Sequence, residues 1–383
     1  MIGVIASVVI LLAMVWLANP MELIDKIRQA NIYFILIVII LYFINLLTKS
    51  LRWYLLVNST GAKVSFNKTF PFYIIGLALN NVTPGKIGGE PVRAYLLNKE
   101  ADVPIGQGIA SIFAEKIMDI IVITTMAVIG AIFILPLLPI DAARMLVVVL
   151  VLVIAGIIIA LYIVSHSTIL EKTVDKSVNL AMKVSKHDFI KRLSMAIAGF
   201  LDRFKFGMNE ILKARSTAGS CMLLTVIIWI NEAVRFFIIL LALPNVEWVS
   251  LGAVFIASSI ANILGFAVPL GAGNILGSST VFIALGMSLS NAQAASFLQV
   301  ATSIWISVPF GVIAMLITGL KVYRLSNSNN KKVKIPNTNN TKLKQTNPDI
   351  TEVNPSNPNI TKEKPAVPNK MKIKISNIDN KKV

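Results

Sequence analysis

The stretch TFPFYIIGLALNNVTPGKIGGEPVRAYLLN, residues 69–98, is apolar in its first arm and broken in the middle. The break contains Pro84, Gly85, Gly88, Gly89 and Pro91, and neither proline nor glycine continues a helix well. Each arm is too short to cross about 30 Å of hydrocarbon alone. The stretch therefore predicts a re-entrant hairpin of two half-helices, with its irregular turn covered by protein.

A second stretch of the same form occupies residues 251–287, where PLGAGNILG interrupts an apolar run. Its turn contains Pro269, Gly271 and Gly273, so Pro84-x-x-x-Gly88 and Pro269-x-x-x-Gly273 lie 185 residues apart. We interpret this match as part of an internal repeat, and we expect the turn glycines and Asn274 to serve the backbone geometry.

Long apolar runs surround both hairpins. Of the 383 residues, 55% are hydrophobic and only 14% are charged, whereas soluble domains carry about 25% charged residues. This composition excludes a soluble enzyme or a nucleic-acid-binding domain as the main body. It predicts an all-α polytopic membrane protein with about six full spans: residues 2–18, 32–48, 105–135, 144–165, 219–243 and 293–320.

The order of these segments divides the chain into two halves. A transmembrane domain, residues 1–325, contains half one (1–135) and half two (144–320), each with the order span, span, hairpin, span. Three crossings per half would invert the second half, and inverted repeats with broken helices are a common transporter plan. Half two also contains a polar insertion, residues 166–215, which we expect to be an amphipathic helix on the membrane surface.

The basic residues predict the orientation. The insertion, the loop from Lys49 to Lys68 and the tail 326–383 are basic, and the tail has 12 lysines against 4 acids. Such segments remain cytoplasmic in membrane proteins. We therefore expect a protein of the cell membrane with both termini in the cytoplasm, and a disordered tail. The net charge of +17 is then a matter of topology and indicates no nucleic-acid partner.

Ionisable side chains inside predicted membrane segments are the candidates for function, because burying a charge in hydrocarbon is costly. The candidate substrate-binding residues are Lys86, Glu90 and Arg93 with Asn81 in the first hairpin; Arg52 after the second span; Glu115, Lys116 and Asp119 in the third span; and Glu232 and Arg235 in the fifth.

Two interpretations of these residues stay open. In one, Lys86 and Arg93 hold a phosphate at the N-terminus of the half-helix after Gly88, where free N–H groups favour anions. In the other, the charges only pair with one another, for example Glu90 with Arg93 and Glu232 with Arg235. Likewise, Asn80, Asn81 and Thr83 line a cavity or satisfy unwound backbone, and Lys49 and Arg52 are expected to extend to the membrane interface.

No catalytic or metal-binding pattern stands out. Cys221 is the single cysteine, His166 and His187 lie in a polar stretch, and no nucleotide-binding glycine motif or nucleophile elbow occurs. We therefore expect no cofactor, no metal and no catalytic residues.

The run GLALNNVTPGKIGGEPVRAYLL, followed by EKIMD, resembles the flippase-like family of integral membrane proteins, which includes the transmembrane region of lysylphosphatidylglycerol synthases. The resemblance covers residues 1–325 and rests on an Asn-x-x-Pro-Gly-basic-x-Gly loop with a following Arg, and on a Glu-basic-x-x-Asp motif. The matching positions are Asn81, Pro84, Gly85, Lys86, Gly88, Arg93, Glu115, Lys116 and Asp119.

The chain departs from that family in two places. An extra glycine, Gly89, places the acid at Glu90, and no acid follows the second turn between Pro269 and Asn291. The soluble aminoacyl transferase domain of the synthases has no counterpart in this sequence. The resemblance thus implies the translocating part, which moves a phospholipid or glycolipid between leaflets.

Three functions follow as hypotheses. The first is a lipid flippase or translocase that binds an anionic headgroup between the two hairpins. The second is a membrane enzyme acting on lipid-linked sugars or phosphates, with Glu90, Glu115 or Asp119 as acid or base. The third is a scaffold for an envelope-biosynthesis enzyme, with the tail as a docking arm. Expected partners are membrane lipids, another copy of the chain or such an enzyme.

Overall fold

The computed structural model describes residues 20–137, 188–246 and 250–332, with scattered positions between 12 and 19 and between 140 and 156. Predictions for the first span (2–18), most of the fourth span (144–165), residues 166–187 and the tail beyond Lys332 lie outside these residues. The described part is helical, as predicted.

The described helices, numbered in chain order, are α1 (Pro20–Gln29), α2 (Ile32–Ser59), α3 (Phe66–Val82), α4 (Gly89–Ala101), α5 (Ile105–Ile134), α6 (Asp188–Lys213), α7 (Arg215–Ala242), α8 (Leu251–Ala267), α9 (Ala272–Ala284), α10 (Leu289–Ala301) and α11 (Ile304–Lys332). Short 3₁₀ turns occupy Pro84–Lys86 and Leu135–Leu137.

Four of the predicted spans are confirmed as segments long and apolar enough to cross a membrane: Ile32–Ser59, Ile105–Ile134, Arg215–Ala242 and Leu289–Gly319. A helix of 28 residues is about 42 Å long, so α2 and α7 exceed the hydrocarbon thickness. The fourth segment is interrupted at Thr302 and Ser303, where α10 ends and α11 begins. α11 then continues to Lys332, past the predicted start of the tail.

Both predicted hairpins are confirmed as broken helix pairs. In each of them the first arm has 17 residues (α3 and α8) and the second has 13 (α4 and α9). These arms are about 25 and 20 Å long, less than a bilayer core of about 30 Å.

The two hairpin turns have the same backbone pattern. After Pro84, Gly85 and Lys86 have φ values of +74° and +49°; after Pro269, Leu270 and Gly271 have +60° and +85°. Two successive left-handed residues reverse the chain, and the glycine in each pair adopts this conformation without a steric penalty.

The outer face of α2 carries the exposed apolar side chains that are expected of a helix in contact with lipid. Large apolar side chains on this face are between 40% and 60% exposed: Ile32, Leu36, Ile37, Ile40, Ile44, Leu47 and Leu51. The opposite face buries polar groups, including Asn45 and Arg52. A polar interior behind an apolar surface suits a helix that faces lipid.

Within the predicted insertion, α6 forms a helix over Asp188–Lys213. It packs against the start of α5, where Gly207 approaches Ala110 closely and the rings of Phe113 and Phe204 lie 5.8 Å apart. This contact places a polar helix beside the span that carries Glu115 and Asp119.

Candidate functional site

The two hairpin turns meet each other inside the helix assembly. The backbone N–H of Leu270 in the second turn donates to the carbonyl oxygen of Asn81 in the first, at 2.8 Å. The Asn81 side chain donates to Ser307 Oγ at 2.6 Å, and Trp305 Nε1 donates to the carbonyl of Leu270 at 3.1 Å. Both turns are therefore joined to each other and to the start of α11.

A cavity of about 200 Å³ lies beside this junction. Its polar lining comes from both hairpins and from α2, α5, α7 and the α10–α11 break. The polar and aromatic lining residues are Tyr42, Lys49, Arg52, Tyr73, Asn80, Asn81, Lys86, Arg93, Glu115, Lys116, Asp119, Trp229, Glu232, Asn262, Asn274, Gln299 and Ser303.

Arg52 is the centre of the charged wall. Its side chain is only 1% exposed, and its guanidinium donates to Glu115 at 3.0 Å and to Asp119 at 2.6 Å. It also donates to Thr225 Oγ1 on α7 at 2.9 Å. The expectation that Arg52 extends to the membrane interface is wrong, because two carboxylates one helical turn apart on α5 hold it inside.

Arg93 is equally enclosed. It donates to Glu115 at 3.0 Å, and its guanidinium carbon lies 4.9 Å and 5.1 Å from the ring centroids of Trp53 and Tyr73. Its stem passes over Gly76, where a Cβ atom would overlap Arg93 Cγ. The two aromatic faces stabilise the buried guanidinium through cation–π attraction. Through its hydrogen bond to Glu115, Arg93 connects α4 to α5.

Glu90 completes this group, which we call the first ion cluster (Arg52, Glu90, Arg93, Glu115, Lys116 and Asp119). Glu90 pairs with Lys116 at 3.0 Å and lies 3.9 Å from Arg93. The predicted pairing of Glu90 with Arg93 is thus present, but its contact with Lys116 is shorter. Lys116 keeps 35% of its side chain exposed.

The second ion cluster consists of Lys49, Glu232 and Arg235. The predicted pair of Glu232 with Arg235 is confirmed at 3.2 Å, and Lys49 lies 3.9 Å from the same carboxylate. Lys49 therefore faces the cavity and does not reach only to the membrane interface as expected. Asn45 and Gln299 also donate to Glu232, at 3.2 and 3.1 Å.

Arg235 links this cluster to the interrupted span. Its side chain is 1% exposed and donates to the carbonyl oxygen of Thr302 at 3.1 Å. An α-helix leaves carbonyls unsatisfied at its end, so a buried guanidinium at this position stabilises the break between α10 and α11.

The N-terminus of α4 is less open to an anion than the sequence predicts. The N–H of Gly88 donates to Thr83 Oγ1 at 3.1 Å, and the N–H of Gly89 donates to Asn80 Oδ1 at 2.7 Å. Thr83 and Asn80 therefore satisfy the unwound backbone. Gly89 itself permits a close approach of the two arms, since a Cβ atom there would overlap the carbonyl oxygen of Gly76.

The charges that line the cavity have a positive excess. Five lining residues are cationic (Lys49, Arg52, Lys86, Arg93 and Lys116), and three are anionic (Glu115, Asp119 and Glu232). Glu90 and Arg235, which contact lining residues, add one charge of each sign. The arginines are almost fully enclosed, whereas the side chains of Lys49 and Lys116 are 23% and 35% exposed and Lys86 is half-buried. The three lysines are therefore the cations best placed to reach a ligand.

Several lining residues were not predicted from the sequence as site residues, among them Tyr73, Trp229 and Gln299. Asn274, assigned to backbone geometry, instead brings its side chain to within 3.5 Å of Lys86 Nζ. The predicted repeat offers a signal for some of them. The starts of α5 and α10 are 184 residues apart, and at that spacing Glu115 and Asp119 correspond to Gln299 and Ser303.

The same spacing argument relates the two central arginines. The starts of α2 and α7 are 183 residues apart, and so are Arg52 and Arg235. Each binds the first helix after its own hairpin, α5 or α10.

Within the part of the chain that the structure describes, no group of three His, Cys, Asp or Glu side chains is placed to hold a metal ion.

Comparison of the sequence with known proteins identifies relatives of this chain. A UPF0104 membrane protein of Methanothermobacter thermautotrophicus is 27% identical over 83% of this chain and 95% of its own length. UPF0104 membrane proteins of Pyrococcus horikoshii and Methanocaldococcus jannaschii are 26% and 24% identical, each over 82% of this chain and 95% and 93% of their own lengths.

The family model described as the lysylphosphatidylglycerol synthase TM region matches residues 3–311. This match includes both hairpins, both ion clusters and every residue that lines the cavity. The chain therefore belongs to the family of the lysylphosphatidylglycerol synthase transmembrane region.

Proposed function

We propose that this protein is a membrane lipid translocase that binds the anionic headgroup of a phospholipid or glycolipid in the cavity between its two hairpins. The observation that carries the proposal is this cavity, where two broken helix pairs meet and cationic side chains exceed anionic ones. Charged groups in membrane segments usually mark a substrate pathway.

The lysines supply the contacts to the phosphate. Lys49, Lys86 and Lys116 come from α2, the first hairpin turn and α5, so they surround a ligand from three elements. Arg52 and Arg93 hold Glu115 and Asp119 in place and thereby set the local charge.

The size of the cavity supports a headgroup rather than a whole lipid. Its volume of about 200 Å³ is below the ~300–1,000 Å³ of pockets that enclose drug-sized ligands. The acyl chains therefore remain outside, in contact with the apolar surfaces of the surrounding helices.

The matched halves support a mechanism of alternating access. Equal arm lengths and the same pair of left-handed residues in each turn indicate two related units. In transporters with inverted repeats, one unit rocks against the other around a fixed site. In this proposal the hydrogen bond from the Leu270 N–H to the Asn81 carbonyl joins the two units beside the site.

The test is transport in reconstituted vesicles. The full chain is inserted with a headgroup-labelled anionic phospholipid, and the label in the outer leaflet is quenched over time. We expect the triple variant Lys49→Gln, Lys86→Gln, Lys116→Gln to slow leaflet exchange at least about tenfold, since each charge-assisted contact contributes about 1.5–3 kcal/mol.

The matched control is Lys213→Gln, which removes a lysine that is 73% exposed at the end of α6. It should exchange lipid at the unaltered rate. A folded triple variant with unaltered exchange would refute the headgroup site; product formation without exchange would favour a membrane enzyme instead.

A further inference from the structure

Five amide side chains line the cavity, and four of them make hydrogen bonds to the described residues through only one of their two polar atoms. Each of the four is anchored through that one atom. Asn81 Nδ2 donates to Ser307, Asn262 Nδ2 donates to the Ser258 carbonyl, Gln299 Nε2 donates to Glu232, and Asn274 Oδ1 accepts from Lys86. These anchors orient the amides from both hairpins and from α10.

The other polar atom of each amide has no hydrogen-bond partner among the described residues. These atoms are Oδ1 of Asn81 and Asn262, Oε1 of Gln299 and Nδ2 of Asn274. Asn81, Asn274 and Gln299 are only 7%, 4% and 8% exposed. These residues border the cavity, and a polar atom left without any partner costs about 1–3 kcal/mol, so water or a polar ligand in the cavity must satisfy the four atoms.

The hydrogen-bonding capacity of these atoms restricts which kind of ligand can occupy the cavity. An amide oxygen accepts and an NH2 group carries two N–H donors, so this set can both accept and donate hydrogen bonds, and all its members are neutral. A phosphate oxygen only accepts and an ammonium group only donates, whereas a hydroxyl group does both. The carboxylates that would hold an ammonium group, Glu115, Asp119 and Glu232, are already paired with arginines.

From this arrangement, and resting on the proposed function, we infer that the ligand is a phosphate joined to a hydroxyl-bearing group, such as a sugar or polyol. The lysines contact the phosphate, and Asn81, Asn262, Asn274 and Gln299 contact the hydroxyls. Trp229, fixed by a 3.0 Å hydrogen bond to Asp119, offers an aromatic surface for the apolar face of a sugar ring.

The test is competitive binding to the full chain in detergent. The probes are phosphatidylinositol, phosphatidic acid and phosphatidylethanolamine, which carry a hydroxylated ring, no added group and an ammonium group. We expect phosphatidylinositol to bind at least about tenfold more tightly than the other two, because a net hydrogen bond contributes about 0.5–1.5 kcal/mol and a factor of ten is about 1.4 kcal/mol.

The variants Asn274→Leu and Gln299→Leu should reduce the preference for phosphatidylinositol over phosphatidic acid about three- to tenfold, because each removes a hydrogen bond of about 0.5–1.5 kcal/mol to the hydroxylated group. Gln293→Leu is the matched control: Gln293 lies on the same helix as Gln299 and is 4% exposed, but it does not line the cavity. It should keep the full preference.

Equal binding of phosphatidylinositol and phosphatidic acid would overturn the inference and leave the translocase proposal intact. Lipid binding that the triple lysine variant does not weaken would instead count against the proposed function. Competition by soluble inositol phosphate at the same concentration as the lipid would support recognition of a hydroxylated phosphate but assign the site to a soluble ligand.

Discussion

Replacing Arg52 by Met tests the internal ion cluster most directly. Arg52 is 1% exposed and contacts Glu115 and Asp119 at 3.0 and 2.6 Å, and methionine keeps the apolar stem while removing the guanidinium. Both carboxylates then lose a partner, although Glu115 keeps its 3.0 Å contact with Arg93.

The magnitude follows from burial. Removing one member of a buried ion pair leaves an uncompensated charge and costs about 3–5 kcal/mol. An exposed pair of the same length contributes about 0–1 kcal/mol. Lys213 and Glu210 form such a pair at 2.7 Å, with side chains 73% and 31% exposed, so Lys213→Met provides the control.

The assay is the free energy of unfolding of the full chain in detergent micelles. Arg52→Met should lose about 3–5 kcal/mol and Lys213→Met less than about 1 kcal/mol. Adding Asp119→Asn to Arg52→Met should recover part of the loss, because it removes the unpaired charge. Equal losses for the two single variants would refute the reasoning that burial, and not distance, determines the contribution.

Three further predictions concern the hairpins and the orientation. Gly89→Ala should destabilise the protein by at least about 2 kcal/mol, since its methyl group would overlap a carbonyl of the facing arm; a melting temperature equal to that of the original chain would contradict this packing. In a Cys221→Ala background, cysteines at Asn81 and Leu270 should form a disulfide, because a 2.8 Å backbone hydrogen bond joins these residues. The cross-link should stop lipid exchange until a reductant is added, and exchange that continues with the cross-link intact would show that the turns need not separate. In the same background, a cysteine at Lys213 should react with an impermeant thiol reagent only from the cytoplasmic side, and labelling of intact cells would reverse the proposed orientation.

Features that depend on neighbouring residues along the chain were predictable. Pro84 with Gly85, and Pro269 with Gly271, combine residues that disfavour helix continuation within a few positions, so the sequence predicts both hairpin turns. The apolar spans follow from hydropathy in the same way. The pair of Glu232 and Arg235 was also predictable, because residues three apart lie on the same side of a helix.

Features that depend on how the helices face one another were not predictable from the sequence. Lys49 and Arg52 were expected to extend to the membrane interface, whereas both face the cavity. Arg52 contacts residues that lie 63 and 67 positions away along the chain. The amides at Asn262 and Gln299 stand in apolar runs that resemble ordinary spans.

Local chemistry alone is enough to state that this chain belongs in a membrane, to locate four apolar spans and to place the breaks in the two hairpins, because hydrophobic transfer and backbone restriction act residue by residue. The choice of ion partners and the existence of a cavity arise from the rotation and depth of each helix against its neighbours. A rotation of one residue, about 100°, moves a charge from the interior to the lipid, and that angle is set by packing between segments far apart in the chain.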